Sequence, residues 1–71
     1  MTAESTSFAL TADSLDEAVQ GAVDHLRGVV DSSSGLRGFV APELVQEAFE
    51  LVDGTWQRVF RFRAVLLPER G

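Results

Sequence analysis

Two apolar stripes run along the chain at alternating spacings of four and three residues. Leu15, Val19, Ala22, Leu26 and Val29 form the first; Val45, Phe49, Val52, Trp56 and Val59 form the second. Such spacing is that of α-helices packed lengthwise on one another. It predicts a first helix over Thr11–Ser32. Thr11 can serve as N-cap with Leu10 and Leu15 as a hydrophobic staple, and Ser14 with Glu17 offers a competing capping box. Asp31-Ser32-Ser33-Ser34-Gly35 ends it, and Leu36–Ala41 connects. The second predicted helix covers Pro42–Arg63. Pro42 suits its first position, and its early acids and late arginines match the helix dipole.

A short connection makes the two helices antiparallel, so the predicted fold class is all-α, a helical hairpin. On a helical wheel the apolar residues of the second helix fill roughly half the circumference, more than the ~100° that one neighbour covers. The surplus predicts dimerisation into a four-helix bundle. The chain ends read differently. Phe60, Phe62, Ala64 and Leu66 alternate with Arg61, Arg63 and Val65, and Phe8 and Leu10 alternate too, so short extended segments are an alternative at both ends. The expected organisation is a disordered segment at 1–7, a hairpin domain at 8–67 and a tail at 68–71.

Length sharpens the need for a partner. A chain of 71 residues buries only about 60% of the surface its unfolded form exposes. Without cysteine, and with His25 the single histidine, neither disulfides nor a structural zinc site can supplement the core. Oligomerisation remains. The net charge of −5 argues against general affinity for nucleic acid or anionic membranes. That charge is unevenly spread: residues 1–53 hold ten acids against Arg27 and Arg37, whereas residues 54–71 hold Arg58, Arg61, Arg63 and Arg70 against Glu69. No segment reaches the ~18 apolar residues of a membrane span, and the first residues lack the basic and apolar regions of a secretory signal. The expected location is cytoplasmic.

Candidate chemistry is sparse. At helical spacing His25 would neighbour Gly21, Ala22, Gly28 and Val29, none of them a proton-transfer partner. Asp13/Asp16 and Glu43/Glu47 read as helix-start charges, and no phosphate loop or metal-ligand spacing occurs. The expectation is therefore no enzyme activity, no catalytic residue, no cofactor and no metal. Trp56, Arg58, Phe60, Arg61, Phe62 and Arg63 interleave aromatic and basic side chains. That composition is shared by protein-interface hot spots and by single-strand nucleic-acid binders.

Phe8-Ala-Leu-Thr-Ala-Asp-Ser-Leu15, the alanine- and valine-rich stretch after it, the glycine-containing turn, and Pro42-Glu-Leu-Val with Phe49, Trp56 and Val59 resemble the WXG-type helical hairpins of actinobacterial type VII secretion. The family's Trp-x-Gly turn and the tyrosine of its export signal are absent from the chain. The resemblance implies a hairpin that dimerises into a four-helix bundle, alone or with a related chain, and raises type VII export.

The expected function is a small acidic protein–protein interaction module acting through oligomerisation. Alternatives are an inhibitor or adaptor docking on a larger protein, such as a phage or defence protein, and a nucleic-acid-associated protein. The expected oligomer interface is Val45, Phe49, Val52, Trp56, Val59 and Phe60. Arg58, Arg61, Phe62 and Arg63 are the expected partner interface.

Overall fold

Asp53 and Gly54 both hold left-handed backbone, with φ of 50° and 82°. Consecutive positive φ angles make the tight reversal whose twist matches two flanking antiparallel strands, and Asp-Gly is its favoured sequence. In the computed structural model, which describes residues 3–69, this turn joins β3 (Glu43–Val52) to β4 (Thr55–Pro68). Before them come β1 (Glu4–Thr11), α1 (Leu15–Ser32) and β2 (Leu36–Phe39).

The all-α expectation is therefore corrected. A single helix packs on a four-stranded antiparallel sheet. The helical hairpin, the four-helix bundle and the WXG resemblance fall with it, because the segment expected as the second helix is the β3–β4 hairpin. Its early acids and late arginines do not serve a helix dipole; they face each other across the two strands. The segment beginning at Glu4 is strand, so four of the seven residues expected outside the domain belong to the sheet. Residues 1–2 of the expected N-terminal segment and 70–71 of the expected tail lie outside the described residues.

β4 is the centre. β1 pairs along one side of it, from Glu4 opposite Leu66 to Thr11 opposite Val59. On the other side β2 and β3 lie end to end: Phe39 faces Leu66, Val40 N–H donates to the Val65 carbonyl at 2.8 Å, and Glu43 faces Arg63. Register shifts beside Arg37 and Val45, with Pro42 between the strands, break this side into two pieces. β1 and β2 are thus parallel, with antiparallel β4 between them and α1 as the crossover: a split β-α-β arrangement.

Alternation along β4 decides where the core lies. Phe60, Phe62, Ala64 and Leu66 are buried and point to one face, while Arg61 and Arg63 point to the other. α1 answers with Ala18, Ala22 and Leu26, all fully buried. Two alanines let the helix backbone settle close to the phenylalanine rings. Phe8 and Leu10 of β1 pack on the near flank, and Phe8 stacks on Phe62 with ring centroids 5.9 Å apart. Val29, Leu36 and Phe39 close the far end around Leu26.

Of the two caps read from the sequence, α1 uses the later. Ser14 is extended, and its hydroxyl accepts a hydrogen bond from Glu17 N–H at 3.2 Å. The Glu17 carboxylate accepts in return from Asp13 N–H at 3.4 Å. Thr11 is unavailable as a cap because β1 still holds it opposite Val59.

Two substitutions measure this framework. Phe62→Ala should remove about 3–5 kcal/mol of stability, seen as a lowered urea midpoint, because a fully enclosed ring leaves a cavity under α1. Ser14→Ala should cost about 1 kcal/mol in the same assay, the ordinary penalty for a lost N-cap.

Candidate functional site

The β3–β4 hairpin outruns everything that could cover it. The β1 ladder ends at Val59, with one further bond from Ala12 N–H to the Arg58 carbonyl, and α1 packs on β1, β2 and β4 but not on β3. Beyond that line the chain is a two-stranded arm, and the molecule measures 43 × 20 × 19 Å. A two-stranded ribbon by itself is marginally stable in water.

Alternation continues into the arm, so Trp56 and Arg58 share the face of Phe60. Their cross-strand neighbours share it too: Leu51 lies opposite Trp56 and Phe49 opposite Arg58. Trp56 is 69% exposed, Phe49 67% and Leu51 60%. Core-facing residues thus continue past the end of the core. Leu15 and Val19 of α1 are exposed as well. Their side of the helix is not the one that meets β1, since it is Gly21 and His25 that approach Leu10 and Phe8. An open cleft of about 570 Å³ separates the arm from the β1–α1 turn, with Asp13, Glu17, Phe49, Trp56 and Arg58 in its walls.

Charge on the arm is paired internally. Arg58 binds Glu47 through Nε and Nη2, and its Nη1 donates to the Asp13 carbonyl at 2.9 Å. The Arg58 guanidinium also lies 5.2 Å from the Phe60 ring centroid. On the opposite face Arg61 contacts both oxygens of Glu50, at 2.7 and 3.0 Å, and Arg63 reaches Glu43 at 3.4 Å. Three β4 arginines therefore meet three β3 glutamates.

The expected interface residues divide among distinct places. Phe49 and Trp56 are exposed on the core-side face of the arm, and Val45 is exposed at the β3 irregularity. Val52 is half-buried beside the turn; Val59 is buried on the opposite face, between Thr11 and Ala48. Phe60 and Phe62 are fully enclosed under α1. Arg58 shares the face of Phe62, whereas Arg61 and Arg63 lie on the other. Sequence reasoning did not single out Leu51, whose pairing with Trp56 becomes visible only once Asp53-Gly54 is read as a hairpin turn.

Among the described residues no group of three or more His, Asp or Glu side chains is placed to hold a metal ion. His25 is exposed, its ring tilted against Phe8 with centroids 4.6 Å apart. No helix among the described residues is long and apolar enough to cross a membrane. Comparison with protein-family models, with curated proteins and with solved structures gives no match to this chain.

Because the pairs on the outer face are solvent-exposed, they should add little stability. Arg61→Ala is expected to change the free energy of unfolding by only about 0–1 kcal/mol, with a smaller effect still at high salt. Denaturant titrations at two ionic strengths measure both quantities.

Proposed function

We propose that the protein is a non-enzymatic interaction module that works by self-association, with the apolar face of the β3–β4 arm seated on a second copy. One observation carries this reading: Phe49, Leu51 and Trp56 form a continuous apolar surface on a two-stranded arm that its own helix does not reach. Together they expose on the order of 300–400 Å² of side chain, within the range where a patch on a monomer is often functional. Aromatic side chains of this kind anchor protein interfaces.

A second copy is the occupant that the chain's own surfaces favour. Leu15 and Val19 provide an uncovered apolar flank on α1, so arm and receptor surface both exist on one molecule. The arm's arginines are neutralised by its own glutamates. It is therefore a nearly uncharged part of an acidic protein, and like copies can meet there without strong repulsion.

Phe49→Ser combined with Trp56→Ser tests the proposal by sedimentation velocity. Both side chains are mostly exposed, so circular dichroism should stay unchanged while the sedimenting species becomes smaller than that of the wild type. A wild-type protein that is monomeric across the dilution series, or a doubly substituted protein that sediments identically, would overturn the assignment.

A further inference from the structure

We propose a second self-contact, distinct from the arm: the free edge of β1 pairs antiparallel with β1 of another copy, about a two-fold axis at Phe8.

The hydrogen-bond direction along β1 follows from one bond. Ala12 N–H donates to the Arg58 carbonyl, in line with the register that sets Leu10 opposite Phe60 and Phe8 opposite Phe62. In an antiparallel ladder, backbone groups of alternate residues turn to alternate sides. Leu10, Phe8, Thr6 and Glu4 therefore bond towards β4. Thr11, Ala9, Ser7 and Ser5 present their N–H and C=O groups to the open edge. A single register satisfies all four in a second copy, with Ser7 opposite Ala9 and Ser5 opposite Thr11 in both directions. Phe8 then faces Phe8 across a non-hydrogen-bonded site, where side chains come closest. Both rings lie on the core-side face, each already stacked on its own Phe62 and tilted against its own His25, so pairing covers two half-buried phenylalanines at once.

Charge selects this edge and this occupant. Exposed edges are commonly protected by charged residues, proline or bulges. β3 carries such protection, with Glu43, Glu47, Glu50 and the shift at Val45. From Ser5 to Thr11 β1 carries none: no charge, no proline and no irregularity. For a chain of net charge −5, that makes it a strand edge whose own residues from Ser5 to Thr11 add no charge repulsion between like copies. Sterics agree. Along the β1 side of α1 stand Glu17 at its first turn, then Gly21 and His25, and a Cβ added at Gly28 further on would meet nothing within 4 Å. The helix therefore projects little over the edge that a second strand would approach.

The edge is tested in the arm-substituted protein, Phe49→Ser with Trp56→Ser, so that the two contacts are read separately. That protein should sediment as a dimer. Adding Ser7→Pro should convert it to a monomer with an unchanged circular dichroism spectrum, because the Ser7 N–H faces the open edge and its loss removes no bond to β4. Hydrogen exchange supplies a readout that does not depend on any substitution in β1. In the arm-substituted dimer the amides of Ser5, Ser7, Ala9 and Thr11 should exchange roughly 100-fold or more slowly than after dilution to monomer. An arm-substituted protein that is already monomeric, a dimer that survives Ser7→Pro, or edge amides that exchange equally fast at all concentrations would each overturn the β1 contact. A wild type that matches the arm-substituted dimer would instead overturn the arm contact and leave this one standing.

Discussion

Everything in this molecule is attached to β4. It pairs on both sides, with β1 along one and with β2 and β3 along the other. Its alternate residues Phe60, Phe62, Ala64 and Leu66 supply the floor on which α1 rests. From Val59 to Leu66 β4 is hydrogen-bonded on both edges and covered on one face. The remaining strands each have one partner, and the helix has one buried side. With few residues available for burial, the core is concentrated along the one strand that every other element touches.

The same economy explains the arm. α1 starts at Leu15, and its buried residues Ala18, Ala22 and Leu26 stand over Phe60 to Leu66. One helix of this length cannot also roof Leu51 and Trp56 at the turn end of the hairpin. Cross-strand ion pairs stiffen the ribbon that results, but exposed pairs contribute little each, and they leave its apolar face uncovered. The proposed contact on the arm supplies the missing roof from outside. The proposed β1 contact similarly supplies a second partner to an edge strand, so both arise from incomplete coverage around the same central strand.

Several local features were legible in the residues themselves. Ser14 and Glu17 carried a capping signal, the Leu15–Val29 stripe is helical, and the run ending at Gly35 stops it. Phe60 to Leu66 alternated with Arg61, Arg63 and Val65, Phe8 and Leu10 alternated with Ser7, Ala9 and Thr11, and those alternations are the inward positions of β4 and β1. The misreading arose between them. From Val45 to Val59, apolar residues are dense enough to satisfy a four–three spacing as well as an alternating one, and length favoured the helix. The deciding local signal was Asp53-Gly54, which a helix interior tolerates poorly and a two-residue hairpin turn requires.

By itself the sequence determined the helical stripe of α1 and its stop before Gly35, the alternation that separates Phe60 and Phe62 from Arg61 and Arg63, and the turn-forming pair Asp53-Gly54. Each rests on interactions among residues close in the chain or on backbone geometry at one or two positions. Tertiary structure alone decided which apolar residues are enclosed. Phe60 and Trp56 stand four residues apart on the same face of β4, yet one is fully buried and the other 69% exposed. What separates them is where α1 and β1 end relative to β4. That depends on register between segments more than forty residues apart, such as Thr11 opposite Val59. Local patterns specify which face a side chain takes, and only the pairing of distant strands specifies whether anything lies over that face.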